Sequence, residues 1–433
     1  SALSVTPPGF RDPVATAAGD QEPRVLYYWV QSPYTLDALN RPVIQASPPG
    51  QTPEQFYNAD TAHRPNFTGL DYGHIYTEGD INTALGLAGG PFGTGADQIC
   101  CEPAGGEHGT HVAGIAAGSG HENNWNTNPT HIGAAPQATL IHVGLKLLEG
   151  DLDTGGTFED ALLDAIDFCL RAASFHSMPI VVSVSQGSSF GPHNGSSAFD
   201  LARDNLLNSF NDRSIVWSAG NDNDNHGYRG GSVAAGGTDT FTLTSRRNLP
   251  MWVDIWYTGP ELDYRVSFGG SDSGWRTAGQ DYQGTLNARD IEVERDIEPG
   301  GGLHGIRLYV DDTVFGEVYT IDLRNPHASA AASYHAWSGL QGWWADLSGA
   351  TRDELTLSDT GCGTAILTVG ACSKRHPANP ASGETVTGYS GAGPTVDGRV
   401  KPEIVAVGGS LGDDIVSANS NQASGYTTMH GTS

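Results

Sequence analysis

A chain of 433 residues with 38% hydrophobic content, nine Trp, 15 Tyr and 13 Phe can build one large α/β domain plus an inserted or appended second one. Only 16% of residues are charged, yet the net charge is −27, and Lys146, Lys374 and Lys401 are the only lysines. That balance argues against nucleic acid and membranes as partners and suits a soluble protein, with a secreted or extracytoplasmic setting slightly favoured; a coding bias that replaces Lys by Arg explains the lysine shortage equally well.

The sequence shows neither a secretory signal pattern nor a transmembrane run. Five cysteines, an odd number, preclude a fully paired intrachain set. Cys169 falls on the apolar face of a predicted helix and reads as a buried thiol. Cys100 and Cys101 lie in a Gly-rich loop without paired zinc-ligand spacing, so no metal is assigned to them.

In chain order, residues 1–107 are rich in loop-forming Pro, Gly and Asp, with one strand-like run at Arg24 to Val30. Glu78 to Leu85 starts a short helix, with Asp80 as its expected N-cap. His108 to Gly118 is small and helical, and Thr139 to Val143 is a short β-branched run. From Thr157, a plausible N-cap, to Arg171 the apolar residues Phe158, Ala161, Leu162, Ala165, Ile166, Cys169 and Leu170 recur at helical spacing. Pro179 to Val184 is a nearly continuous apolar run, predicted to be a strand buried on both faces. Ala198 to Leu207 is a further helix and Ser214 to Ala219 a further strand. This alternation predicts an α/β fold with a parallel sheet flanked by helices.

The pattern changes between residues 232 and 358. Leu262, Tyr264, Val266 and Phe268 alternate with Asp263, Arg265 and Ser267, the period-2 signature of a half-buried strand. Further strands are expected at Trp252 to Tyr257, Leu303 to Val310 and Gly316 to Leu323, giving an all-β sandwich of six to eight strands. After residue 360 the first pattern returns at Ala365 to Ala371 and Lys401 to Ala406. The domains are therefore read as 1–231 and 359–433, two parts of one α/β domain, with 232–358 as an inserted β-sandwich.

Three strings carry the chemistry. A serine hydroxyl is a weak nucleophile that needs a base, and its tetrahedral intermediate needs an oxyanion donor. His108, in Glu107-His108-Gly109-Thr110-His111-Val112-Ala113-Gly114, can be the base. Asn221, in Ser218-Ala219-Gly220-Asn221, can donate to the oxyanion, and Ser433, in His430-Gly431-Thr432-Ser433, can be the nucleophile. Taken singly, each string has a plainer reading: a packed or helix-capping histidine, a turn asparagine, a common tripeptide. His111, one turn after His108, is expected to face the core or a neighbouring loop. The His-x-x-His pair lacks the i,i+4 spacing and intervening Glu of a zinc site.

These strings, in this order, resemble those of the subtilisin-like serine peptidases, the subtilases of peptidase family S8. Gly133-Ala134-Ala135-Pro136, Thr368-Val369-Gly370-Ala371 and Gly393-Pro394-Thr395 with Lys401-Pro402-Glu403 add to the resemblance. Ser185 to Gly195 is similar to a stretch of the clostridial germination-protease (Csp-like) subgroup, which carries a jelly-roll between its oxyanion Asn and its Ser. The resemblance implies His108 and Ser433 as catalytic residues, Asn221 in the oxyanion hole, and Ser185, Gln186 and Gly187 as one wall of the S1 pocket, pairing with an extended substrate. It implies a serine endopeptidase acting on protein or peptide substrates through a Ser-His-Asp triad and an acyl-enzyme.

No Asp-Thr-Gly or Asp-Ser-Gly string precedes His108. Thr6-Pro7-Pro8-Gly9-Phe10-Arg11 resembles the segment that follows the triad Asp in the subgroup, which places that Asp immediately before Ser1. On this reading the 433 residues are a fragment, expected to be inactive by itself. No cofactor is required. Structural calcium is permitted by acidic loops such as Asp222-Asn223-Asp224-Asn225, although such loops are usually just solvated. The alternative is an inactive subtilase-fold pseudoprotease that binds or regulates a partner. Trp337, Trp343 and Trp344 are candidate surface aromatics of the sandwich, with burial in its core the favoured reading.

Overall fold

The computed structural model describes residues 24–31, 34–36, 42–44, 52–53, 55, 70, 72–84, 108–120, 131–145, 158–209, 211–277, 279–295, 302–339, 345–350, 354–374, 384–419 and 426–433. Cys100, Cys101, Thr157, Trp343, Trp344 and the Thr6 to Arg11 segment lie outside them. The chain forms two compact units. One comprises residues 1–182, 210–213 and 414–429, the other 183–209, 214–413 and 430–433.

The first unit is built on β1 (Val25–Val30), which pairs in parallel with β5 (Leu140–Gly144) and antiparallel with β4 (His74–Thr77). A small antiparallel pair joins β2 (Tyr34–Leu36) to β3 (Pro42–Ile44). Alternation along β1 sends side chains to both faces. Tyr27 and Trp29 pack with Ile75 on Phe168, Cys169 and Ala172 of α3 (Phe158–Phe175), so the helical apolar periodicity covers one face. Val25 and Tyr28 pack with Ile81 of α1 (Glu78–Ala84) on the other, with Ala113 of α2 (His108–Ala117) against them. Cys169 is buried in this contact, and burial pushes its thiol up to about 12.

The start of α1 differs from expectation. Thr77, not Asp80, is the N-cap: its Oγ1 accepts from the Asp80 amide at 3.4 Å, and Asp80 Oδ2 accepts from the Thr77 amide at 2.8 Å. Asp80 is thus the reciprocal partner of a capping box.

The second unit contains the parallel strands β7 (Arg213–Ser218), β19 (Leu367–Cys372) and β20 (Ile404–Val407), with Val216 opposite Leu367 and Val369 opposite Ile404. In it, α4 (Ala198–Asn208), capped by Ser197, lays Phe199 edge-on against Trp217. The strand β6 (Ile180–Val184) is where the chain passes from the first unit to the second. It is not buried on both faces as predicted. Val184 is buried, but Val181 is 66% exposed, because its face has no cover among the described residues.

Between β7 and β19 in the sequence stand two antiparallel sheets. One, ordered β13-β14-β15-β10-β17-β8, contains β8 (Tyr228–Val233), β10 (Met251–Thr258), β13 (Tyr282–Leu286), β14 (Arg289–Arg295), β15 (Leu303–Val310) and β17 (Ala332–Ser338). The other, ordered β12-β11-β16-β9-β18, contains β9 (Thr238–Ser245), β11 (Asp263–Phe268), β12 (Ser271–Asp272), β16 (Val318–Arg324) and β18 (Ala345–Leu347). Strands exceed the six to eight expected because several are too short to show alternation. Alternate residues of both sheets, among them Val253, Ile255, Tyr264, Val266, Leu308 and Ile321, share one buried core. The hairpin β21 (Ile415–Ala418) with β22 (Tyr426–Met429) belongs to the first unit.

Candidate active site

His108 opens α2 in the first unit. The helix lies close on β21 because Gly114 has no side chain: a Cβ there would come 2.3 Å from Ser417 Oγ. Ser417 donates to the His111 carbonyl at 2.8 Å, and His111 Nε2 meets the Ile415 carbonyl at 3.0 Å. His111 is therefore the buried residue that fixes the helix, as its position one turn on suggested. The carbonyls at the helix end take the amides of Gly133, Ala134 and Ala135 at 2.8–2.9 Å, which gives the Gly-Ala-Ala string a structural role. The His108 imidazole stays half-buried. Burial lowers its pKa below the ordinary 6.5, and a like charge on His111 acts in the same direction. At neutral pH the ring is neutral, as a base must be.

Asn221 and Ser433 stand in the second unit. The Asn221 amide is oriented by what it accepts. Its Oδ1 takes the Thr432 backbone N–H at 2.9 Å and the Thr432 hydroxyl at 3.1 Å, and the same hydroxyl accepts from the Gly220 amide at 3.2 Å. The Thr432 N–H is a donor, so the oxygen must face it and Nδ2 is left as a free donor. A Cβ on Gly431 would lie 3.2 Å from that Nδ2, so the donor sits beside the chain leading into Ser433. The Gly431 amide is itself held by the Gly408 carbonyl at 3.0 Å.

Ser185 donates from its hydroxyl to the Ser433 main-chain oxygen at 3.0 Å. The Trp217 indole N–H donates to the Gln186 carbonyl at 2.8 Å. Gly187 lies where a Cβ would come 2.7 Å from Ser358 Oγ, and Ser358 Oγ accepts from the Ser188 amide at 2.8 Å. Asn221, Ser433 and Ser185 to Gly187 thus meet within one unit, while His108 belongs to the other.

The family model for the subtilase family matches residues 68–291 and 325–433. The chain belongs to the subtilase family. Among solved structures it is similar to the CspB protease of Clostridium perfringens, at 20% identity and a TM-score of 0.69, over 100% of this chain and 78% of that one. No curated protein matches it. A subtilase is a serine peptidase by family, and the matched spans include His108, Ser185 to Gly187, Asn221 and Ser433.

Two features of this subtilase's site escaped the sequence. Thr432 acts as the lock on Asn221, although the signal was present, since it stands inside the Gly-Thr-Ser string. Trp217, the anchor of Gln186, read only as an apolar strand residue. Among the described residues no three His, Cys, Asp or Glu side chains converge as a metal-ligand set, and no helix is long and apolar enough to cross a membrane.

Proposed function

We propose that this subtilase is a serine endopeptidase in which Ser433 attacks the scissile carbonyl and His108 takes its proton. The intermediate oxyanion would accept from Asn221 Nδ2 and from the Ser433 backbone N–H; its collapse breaks the C–N bond, the amine leaves with the proton returned by His108, and the acyl-enzyme remains for water to cleave. Ser185 to Gly187 would pair with the extended substrate on the acyl side. The two antiparallel sheets between β7 and β19 are read as the jelly-roll insert of the Csp-like type.

The observation that carries this reading is the orientation of Asn221. A turn asparagine has no need of its donor end. Here Oδ1 is occupied twice by Thr432, at 2.9 and 3.1 Å, and Nδ2 is left beside the Gly431–Ser433 segment. Preorganised donors of this kind stabilise charge only as it develops, so they lower the barrier rather than bind the ground state.

Peptide-bond hydrolysis by the full-length protein tests the proposal. Wild type should cleave peptides from a mixed library and Ser433→Ala should not. A folded wild type with no cleavage would favour a binding or regulatory role for the same fold.

A further inference from the structure

The outer face of β10 carries Trp252, Asp254 and Trp256, while Val253, Ile255 and Tyr257 point into the shared core of the two sheets. Across the sheet, Arg307 of β15 and Trp337 of β17 stand opposite Asp254. Asp254 is fully buried. A carboxylate removed from water is costly unless donors surround it. Its Oδ2 takes three: the Gly191 amide at 2.8 Å, the Trp256 indole N–H at 2.9 Å and Arg307 at 3.2 Å. Its Oδ1 has no partner.

Gly191 belongs to the loop that begins with Ser185, Gln186 and Gly187. Two aromatic stacks clamp the same loop to the same face. Phe190 lies on Trp252 at 5.2 Å and 16°, with the Arg307 guanidinium 4.2 Å above its ring. His193 lies on Trp337 at 3.8 Å and 10°, and burial drives its pKa down to about 3, so the ring is a neutral stacking partner. Gly191 cannot be replaced without moving the loop: its φ is +126°, and a Cβ would come 2.2 Å from Asp359 Oδ2. Asp359 in turn accepts the His193 amide at 2.6 Å.

We propose that Asp254 is a positioning residue for substrate recognition, and that the two-sheet block, through Asp254, Phe190 and His193, sets the geometry of the Ser185–Gly187 wall. The proposal rests on the endopeptidase reading above. The block is then part of the specificity site rather than a separate binding module. Trp217 holds the wall at the Gln186 carbonyl, and the buried acid on the block holds the same loop further on, at the Gly191 amide. An extended peptide needs the wall in register, whereas a small ester needs only the nucleophile, the base and the oxyanion donor.

The experiment uses the full-length protein. For each variant it compares the peptide that wild type cleaves best from a library with p-nitrophenyl acetate. Asp254→Asn should lower kcat/KM for the peptide by about 10- to 100-fold, mostly through KM, because a wall out of register loses binding that the ground and transition states share. Ester hydrolysis should change less than about twofold, as expected when only substrate positioning is lost. Phe190→Ala, which leaves no buried charge unpaired, should shift the two substrates apart in the same direction and carries the test if Asp254→Asn does not fold. Phe315→Ser, on the exposed β15–β16 connection, should leave both substrates unchanged. Equal loss on both substrates, or no loss on either, would overturn the proposal. If wild type cleaves neither substrate, the endopeptidase reading fails, and amide exchange then decides the clamp: Asp254→Asn should speed exchange at residues 190–193 at least about tenfold, and unchanged exchange refutes it.

Discussion

Asn221 has two chemically distinct ends, and a substitution can separate them. In Asn221→Asp the oxygen that accepts from Thr432 is kept and the donor is lost. That variant, like Asn221→Ala, should lose about 10²–10³ in kcat with little change in KM, measured by steady-state hydrolysis of one peptide. Asn221→Asp should also keep wild-type thermal stability, since the two contacts with Thr432 remain. In the proposed mechanism His108 sets the acid limb of the pH profile. A base works when neutral, and burial holds its pKa below 6.5. The fall in kcat/KM on acidification should therefore come at a pH below that of an ordinary histidine. A limb above 6.5 would mean that a different group titrates. The strings that hold His108, Asn221 and Ser433 are local, so the sequence alone could single these residues out for the roles proposed above. Asp254 was not: its partner Gly191 is 63 residues away, and nothing in either neighbourhood points to the other.

Elements are joined by buried polar groups whose loss should be expensive. Arg203 of α4 is fully buried, donates to Asp200 at 2.5 Å and to the Thr360 carbonyl at 2.6 Å, and lies 4.9 Å over the Trp217 ring. Arg203→Ala leaves Asp200 unpaired in the interior and should destabilise by about 3–5 kcal/mol, read by denaturant unfolding. Replacing both members by apolar residues should cost less. The turn after β7 holds Asp222, whose Oδ1 is buried without a partner. Burial, with Asp224 adding to it, pushes its pKa up to about 8. The native state keeps a proton that the unfolded chain releases near pH 4, so this contribution to stability is present below about pH 4 and lost as pH rises to about 8. Asp222→Asn mimics the protonated form. Its advantage over wild type in thermal unfolding should grow between those pH values and then level off. Helix and strand periodicities were readable at this scale for α3, β11 and β15. The α1 cap was placed at Asp80 because Asp is a favoured capping residue, and only its reciprocal bonds with Thr77 show which of the two begins the helix.

At the scale of the whole molecule, a change of periodicity along the chain marked where the parallel strands give way to antiparallel ones. What the change could not convey is that the loop from Ser185 packs on the outer face of β10, so burial of Trp337, the favoured reading, could not be traced to that loop. Trp337 is buried, under His193. The account joins a subtilase scaffold, an oriented Asn221 and a wall held from the two-sheet block into one endopeptidase. An active-site fluorophosphonate applied to the folded full-length protein, with the adduct mapped by mass spectrometry, tests that claim most directly. The account predicts a single modified serine, Ser433, with labelling lost in Ser433→Ala and strongly slowed in His108→Ala. A folded protein that takes up no probe, or takes it up at another serine, would contradict it.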